Sequence, residues 1–462
     1  MNHLWSSNEI AAACGGVAVG DWFADDVAFD SREAGPGTLF VALKGESTDG
    51  HRFVPQALAQ GAAGVLVDRS VDGSHVLVAD TTAALDALGR ASRARTDAKV
   101  VGVTGSVGKT GTKEALWAAF ERMAEGRVHR SLKSYNNHVG VPLSLARMPR
   151  ESRFAVLEMG MNHAGELAAL TRLVRPHVAI VTAIAPAHTA FFSGEEAIAD
   201  AKGEIFEGLE PGGTAVVPFD SVHRDRLAAK AARHAGRVVT FGQGRGADVR
   251  AVEVMRTAAG GSFVTARLGD REVSYTVAHP GEHWVSNSLA VMAAVDAAGG
   301  DLGLAGLAMA ELGGLPGRGR RVRVAVRGGE ALVIDESYNA NPASMRATLK
   351  VLATEPATRR LAVLGEMREL GEDSDAYHAD LAVPIVEAGV ECAVLVGAGM
   401  EPLARALAGR VHIMHVTDAV QARDRLTEML APGDAVLVKG SNAIGLSAVV
   451  DAVSAAGTPC FT

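Results

Sequence analysis

Val100-Val-Gly-Val-Thr-Gly-Ser-Val-Gly-Lys-Thr-Gly111 decides how this chain is read. An apolar run of strand length enters a glycine-rich turn, and a helical pattern follows as far as Met123. In that order a loop's backbone N–H groups and a helix N-terminus surround phosphate oxygens, and Lys109 supplies a positive charge. Thr110 carries a hydroxyl suited to magnesium, while Gly105 and Gly108 let the backbone approach the phosphates closely. A plain glycine turn before a helix is the alternative.

Moving outward, apolar runs alternate with helical patterns. Phe154-Ala-Val-Leu157, Val178-Ala-Ile-Val-Thr182 and Thr214-Ala-Val-Val217 read as strands of one parallel sheet. Between Val238 and Val277, short alternating pieces with glycine-rich turns predict an antiparallel extension, closed by a helix from Trp284 to Ala297. Gly313-Gly-Leu-Pro-Gly-Arg-Gly-Arg-Arg321 reads as a linker. Beyond it, Leu332-Val-Ile334, Leu361-Ala-Val-Leu364, Ala393-Val-Leu-Val396 and Ala435-Val-Leu-Val438 alternate with helices, as in a doubly wound domain. Before the phosphate loop, strands at Thr38-Leu-Phe-Val-Ala-Leu43 and Gly64-Val-Leu-Val67 flank a helix near Phe53 to Gln60. The expected architecture is α/β with three domains. These are a small α/β N-terminal domain over 1–97, a central P-loop-type ATPase domain with a mainly parallel sheet over 98–314, and a C-terminal Rossmann-like, doubly wound domain over 315–462.

Composition narrows the class. A chain of 462 residues exceeds one ordinary core. A net charge of −8 gives no reason to expect binding to nucleic acid or an anionic membrane. No segment stays apolar for the roughly 20 residues a membrane span needs. Cys14, Cys392 and Cys460 lack disulfide or zinc spacing. The opening Met-Asn-His-Leu-Trp-Ser-Ser-Asn-Glu has no basic region leading into an apolar stretch. A soluble, cytoplasmic protein acting as a monomer is expected.

Three further polar residues stand out, two after predicted strands and one, Lys202, at the start of a predicted helix. Glu158 ends the run from Phe154, His188 lies in Ala185-Pro-Ala-His188, and Lys202 lies in Asp200-Ala-Lys-Gly-Glu-Ile-Phe206. Read singly, the histidine is a loop residue and the lysine a solvated charge. The phosphate loop has two residues fewer between its glycines than the common pattern, and in that form it resembles the ATP loop of the Mur ligase and folylpolyglutamate synthetase superfamily. The resemblance covers nearly the whole chain. It implies an ATP-dependent ligase that joins a carboxylate to an amine through an acyl phosphate. Gly105, Ser106, Val107, Gly108, Lys109, Thr110 and Gly111 would hold ATP, and Thr110, Glu158, His188 and Lys202 would hold two magnesium ions. Lys202 matches a lysine that the family carbamylates with carbon dioxide; a buried, neutral amine suits that reaction, and the carbamate is an oxygen ligand. Lys109, His188, Lys202 and Arg318 are the implied catalytic groups.

Pro316-Gly-Arg318 and Ile334-Asp-Glu-Ser-Tyr-Asn-Ala-Asn-Pro342 resemble the stretch with which the family's C-terminal domain reaches the nucleotide. Arg318 is the candidate for the γ-phosphate, and Asp335, Asn339 and Asn341 are candidates for nucleotide contact. Arg320, Arg321 and Arg323 read as solvated hinge charges. Asn287 matches an asparagine that contacts the purine, with His283 beside it; Trp284 stands where the family usually has another asparagine. Within the family, Tyr338-Asn-Ala-Asn-Pro342, Leu364-Gly-Glu-Met-Arg-Glu-Leu-Gly371 and Ala201-Lys-Gly-Glu-Ile-Phe206 resemble the members that add D-alanyl-D-alanine to UDP-N-acetylmuramoyl-tripeptide. That resemblance makes Ser31, Arg32, Lys44, Asn136, Asn137, Tyr338 and Lys439 substrate-site candidates. Without it, Asp30-Ser-Arg32 and the segment around Lys44 are ordinary turns. The rivals are another Mur-type or folylpolyglutamate-type ligase and a P-loop nucleotide switch, which has no need of Glu158, His188 and Lys202 together.

Overall fold

Apart from exposed Lys99, Lys99–Thr104 is buried, as are Phe154–Glu158, Val178–Val181 and Thr214–Pro218. Strands with no polar alternation are stable only under helices on both faces. The structure is a computed structural model describing residues 3–45, 48–186 and 189–456, and it places those helices as required. Leu116 and Phe120 of Lys109–Met123 pack with Leu289 and Met292 of Glu282–Ala297 on one face. Leu167 and Leu170 of Glu166–Val174 pack with Ile198 of Glu195–Gly203 on the other. Phe120 stacks on Phe154 with ring centroids 4.3 Å apart, and truncating such a ring to alanine costs about 3–5 kcal/mol.

Across this nine-stranded sheet the order is Arg271–Val277, Ser262–Leu268, Val249–Arg256, Arg237–Gly242, Thr214–Pro218, Val178–Val181, Lys99–Thr104, Phe154–Glu158 and Val128–Arg130. From Lys99–Thr104 the chain crosses to the edge strand Val128–Arg130, returns through Phe154–Glu158 and resumes on the other side with Val178–Val181. Neighbouring strands thus diverge at one point, and their C-terminal ends leave a crevice where open α/β sheets bind ligands. The antiparallel extension begins later than its sequence suggests. Arg237–Gly242 runs parallel to Thr214–Pro218, with Val238 opposite Ala215; only the hairpins joining Val249–Arg256, Ser262–Leu268 and Arg271–Val277 are antiparallel. Val249–Arg256 meets Arg237–Gly242 only at Val249 and Arg250. An unforeseen helix, Leu302–Glu311, follows, with the Asp301 carboxylate accepting from the Leu304 N–H at 2.9 Å.

The C-terminal sheet runs Arg320–Val326, Gly329–Glu336, Asp434–Lys439, Arg359–Gly365, Val390–Val396, His412–Val416. Only the first strand is antiparallel. It takes up the end of the predicted linker, because the Arg/Val alternation of Arg320–Val326 is a strand pattern with one wet face. Pro342–Ala353 covers one face of this sheet and Ala419–Met429 the other.

The small N-terminal sheet has the order Val17–Val19, His75–Leu77, Gly64–Val67, Thr38–Val41, Asp26–Ala28. It is fastened to the central domain by buried Arg93, whose guanidinium donates to the carbonyls of Val174 and Arg175, each at 2.8 Å. The C-terminal domain meets the central one where the Thr189 hydroxyl donates to the Leu370 carbonyl at 2.9 Å and the Ala190 N–H to the Glu369 carbonyl at 3.2 Å. No helix among the described residues is long and apolar enough to cross a membrane.

Candidate active site

The turn after Lys99–Thr104 is shaped by two glycines. A side chain on Gly105 would stand 1.9 Å from the Thr182 hydroxyl, and one on Gly108, at φ +86°, would stand 2.7 Å from the Asn287 amide oxygen. The loop is braced from the neighbouring strand's end: the Ser106 N–H donates to the Ala183 carbonyl at 2.8 Å, and the Thr182 hydroxyl to the Val107 carbonyl at 2.6 Å. Lys109 opens the helix and donates to the Gly105 carbonyl at 2.6 Å, curling over the loop it would share with a phosphate. Burial lowers its pKa, as does Arg318, while Glu158 opposes the shift.

A strand end and a helix start contribute the oxygen cluster. Glu158 is 1% exposed. One of its carboxylate oxygens accepts from the Thr110 hydroxyl and the other from the Asn136 amide, both at 2.8 Å. Hydroxyl and carboxylate are hard donors, a sparse set of the kind magnesium uses when phosphate oxygens and water complete its octahedron. Among the described residues no group of three or more His, Cys, Asp or Glu side chains is placed to hold a metal. Lys202, in the last turn of Glu195–Gly203, is also 1% exposed and has no hydrogen-bond or ion-pair partner among the described residues. Burial, reinforced by nearby Lys109, pushes its pKa well below the usual lysine range. Buried Lys113 makes the contrast: its ammonium is satisfied by the carbonyls of Ser131 and Lys133 and by Glu114.

These groups face one cavity of about 450 Å3 between the central and C-terminal domains. The C-terminal domain brings Arg318, Glu336, Tyr338, Asn339, Asn341 and Lys439 to its wall. The Arg318 guanidinium lies 4.2 Å from the Tyr338 ring centre and donates to the Ser134 hydroxyl at 3.3 Å. Lys439 donates to the Asn339 carbonyl at 2.8 Å and lies 3.6 Å from Glu336. Burial raises the pKa of Glu336 and lowers that of Lys439, and each moderates the other's shift. Burial also lowers the pKa of His283, to about 4.

A cradle, a buried carboxylate and an unpaired lysine on one domain, closed by an arginine from the next, are matched along the sequence by three family models. "Mur ligase family, catalytic domain" matches residues 25–106, "Mur ligase middle domain" 103–295, and "Mur ligase, glutamate ligase domain" 319–442. The chain belongs to the Mur ligase family. This Mur ligase is 35% identical to the UDP-N-acetylmuramoyl-tripeptide–D-alanyl-D-alanine ligase of Escherichia coli, over 94% of each chain. It is also 35% identical to the Synechocystis enzyme of that name, over 92% of this chain and 91% of the other. Its fold matches that of MurF from Acinetobacter baumannii with a TM-score of 0.84 at 30% identity, over 98% and 99% of the two chains. Mur ligases generally use ATP and magnesium.

The structure brings Ser106 to Gly111, Asn136, Glu158, Lys202, His283, Asn287, Arg318, Tyr338, Asn339, Asn341 and Lys439 to the cavity wall. It places others elsewhere. Asp335 turns away, accepting from the Gly317 N–H at 2.8 Å and the Ser337 hydroxyl at 2.6 Å, and so holds the loop that carries Arg318. Asn137 accepts from the N–H groups of Val139 and Gly140 at the start of Gly140–Ala146. Asn341 lines the cavity but spends its side-chain oxygen as the N-cap of Pro342–Ala353. Ser31, Arg32 and Lys44 follow the C-terminal ends of Asp26–Ala28 and Thr38–Val41, outside this cavity. His188 lies outside the described residues. Glu336, Ser134, Thr182 and Trp284 line the cavity without having been singled out as contacts. Strand alternation was the available signal for Glu336: of two successive carboxylates at a strand end, only one can face the cavity.

Proposed function

We propose that this chain joins D-alanyl-D-alanine to the terminal carboxylate of UDP-N-acetylmuramoyl-tripeptide, forming the UDP-linked pentapeptide of peptidoglycan synthesis with ADP and phosphate as the other products. The observation that carries this reading is full-length likeness to ligases of that name, combined with one cavity in which the phosphate loop, Glu158, Lys202 and Arg318 converge.

Magnesium-bound ATP supplies the γ-phosphoryl group and part of the charge neutralisation its transfer needs. The amides of Ser106 to Thr110 and the Lys109 ammonium orient the phosphates, and Thr110 and Glu158 would hold the magnesium. The tripeptide carboxylate attacks the γ-phosphorus, the bond to the ADP oxygen breaks, and an acyl phosphate results. The deprotonated dipeptide amine then attacks the acyl carbon, and phosphate leaves as the amide forms. Lys109 and Arg318 offset the negative charge that builds up, so the protein acts by positioning and electrostatics. Asp335 serves as a positioning residue for Arg318. Asn287, Asn339 and Asn341 face the nucleotide; Asn136, Tyr338 and Lys439 face the peptide substrates.

Lys202 is suited to carbamylation because its amine is buried and unpaired. The nitrogen lone pair attacks carbon dioxide, a C–N bond forms and one proton is released. The carbamate, with His188, would provide for a second magnesium. In the N-terminal domain, Ser31, Arg32 and Lys44 sit at parallel-strand ends suited to the uridine nucleotide. The division at 1–97, 98–314 and 315–462 follows these three tasks, and the enzyme acts as a cytoplasmic monomer.

Purified protein with magnesium, ATP and UDP-N-acetylmuramoyl-tripeptide is expected to release ADP steadily only when D-alanyl-D-alanine is present, with the pentapeptide identified by mass. No turnover with any UDP-linked tripeptide overturns the substrate assignment. For Lys202, trapping under bicarbonate is expected to add the mass of one carbon dioxide to the peptide containing it; active enzyme without that addition rules the carbamate out.

A further inference from the structure

Residues 133–136 run between two domains and turn alternate side chains to each. Lys133 and Tyr135 face the N-terminal domain. The Lys133 ammonium and the Tyr135 hydroxyl donate to the same oxygen of Glu33, the hydroxyl at 2.8 Å, and the Tyr135 ring lies 5.4 Å from that of Phe29. Ser134 and Asn136 face the cavity between the central and C-terminal domains. The Ser134 hydroxyl accepts from the Arg318 guanidinium at 3.3 Å, and the Asn136 amide donates to Glu158 at 2.8 Å. Because the two pairs interleave on one short stretch of backbone, an anchor on the first fixes the second.

The anchor is held from several directions. Lys133 takes φ +51°, a left-handed conformation that residues with a Cβ rarely adopt. Such a conformation persists where the surroundings impose it, and here they do so from both ends: the Lys133 carbonyl accepts from buried Lys113 at 3.2 Å while its ammonium meets Glu33. The other Glu33 oxygen accepts at 3.2 Å from Arg147, whose side chain is only 8% exposed. Burial works to raise the Glu33 pKa, but hydrogen bonds from Lys133, Tyr135 and Arg147 hold it below the ordinary carboxylate range, so the anchor is charged at neutral pH. Among the described residues none before Ser106 lines the cavity, so Glu33 reaches it through this segment.

We propose that Glu33, in the N-terminal domain, is a positioning residue for phosphoryl transfer in the cavity: by holding Lys133 and Tyr135 it sets Ser134 against Arg318, so that the arginine meets the γ-phosphate already oriented. This rests on the reading that ATP occupies the phosphate loop with Arg318 at its γ-phosphate. Adjacent Arg32 turns instead to Asp30 and takes no part.

The test is calorimetric binding of ADP and of an ATP analogue that cannot be cleaved, each with magnesium and no other substrate, to wild type, Glu33→Ala and Tyr135→Phe. Wild type is expected to prefer the analogue. Glu33→Ala is expected to lower that preference about 3- to 10-fold, the range of one polar contact, with ADP affinity unchanged. Tyr135→Phe, which removes a single hydroxyl and keeps the ring on Phe29, is expected to lower it in the same direction by less, and it decides alone if Glu33→Ala does not fold. Adding Ser134→Ala to Glu33→Ala is expected to cost no more than the larger single loss, because both act along one path. The inference is overturned if the preference stays at the wild-type value, if ADP weakens equally, if the two losses multiply, or if wild type itself binds ADP and the analogue alike. A rise confined to KM for the UDP-linked substrate also overturns it and makes Glu33 a substrate contact. Since binding is measured without muropeptide or dipeptide, a lowered preference in a protein that does not ligate refutes only the proposed reaction, and ligation with an unmoved preference refutes only the role of Glu33.

Discussion

The cavity between the central and C-terminal domains leaves some of its candidate ligand groups unpaired, whereas the strand ends of the N-terminal domain hold Arg32 and Lys44 in ion pairs. In the cavity, Lys202 and Asn287 are unpaired among the described residues. In the N-terminal domain, Arg32 is clamped by both oxygens of Asp30, and Lys44 lies 2.5 Å from Asp68. The Arg32 contacts hold the Asp30 carboxyl at about 2, against the weaker opposing effect of burial. Unpaired buried groups are already desolvated and gain fully from a ligand, whereas paired surface charges must exchange one partner for another. Substitutions in the cavity should therefore act on turnover, and those of Arg32 and Lys44 on affinity.

The sharpest break of that contrast is Lys109→Ala, expected to lower kcat about 10²- to 10³-fold with the fold intact, the size of losing one preorganised charge on developing negative charge. ADP release and a thermal melt check it together; a loss confined to KM would place Lys109 outside the transition state.

Lys202→Met should abolish turnover yet raise stability at neutral pH, measured in buffer freed of carbon dioxide. The folded pKa lies well below the unfolded value of 10.5, so between the two the unfolded chain holds the extra proton. Wild-type stability then rises with pH, by up to about 1.4 kcal/mol per unit, until the unfolded lysine also titrates. The variant's advantage in Tm should accordingly shrink between pH 7 and pH 10 (about three units of that slope at most). A gap independent of pH would mean that Lys202 is charged in the folded protein.

In the N-terminal domain, Arg32→Ala and Lys44→Ala are each expected to raise KM for the UDP-linked substrate about 3- to 10-fold, the worth of one exchanged polar contact. Initial-rate kinetics should find kcat and KM for ATP unchanged. The smallest effect belongs to Asn137→Ala, expected to lose about 1 kcal/mol of stability as a helix-start acceptor. A large rise in KM for any substrate would return Asn137 to the binding site.

How much of this was legible in the sequence follows the same division. The parallel strands were readable because burial on both faces removes alternation, and the phosphate loop because close backbone approach demands Gly105 and Gly108. The edge strands Val128–Arg130 and His412–Val416 were not readable, being short and only partly buried. Residue roles in polar strings were harder still. Asp335, Asn137 and Asn341 are residue types that serve turns and caps as readily as ligands, and only the placed backbone distinguishes the two.

Val249–Arg256 leaves its neighbour after Arg250, and among the described residues its backbone from Ala251 onward is laddered on one side only. Val252, Val254 and Met255 stand exposed along that margin, a composition that invites an incoming strand from another chain. Glu253 interrupts it with charge, and so does Arg256, whose guanidinium also donates to the Thr354 carbonyl of the C-terminal domain at 2.9 Å; such gatekeeping keeps a sheet margin from templating aggregates. Solubility at the concentrations used for crystallisation or inhibitor screening therefore hangs on two side chains remote from any chemistry, and replacing both with valine would leave a catalyst that works in dilute solution and precipitates on concentration.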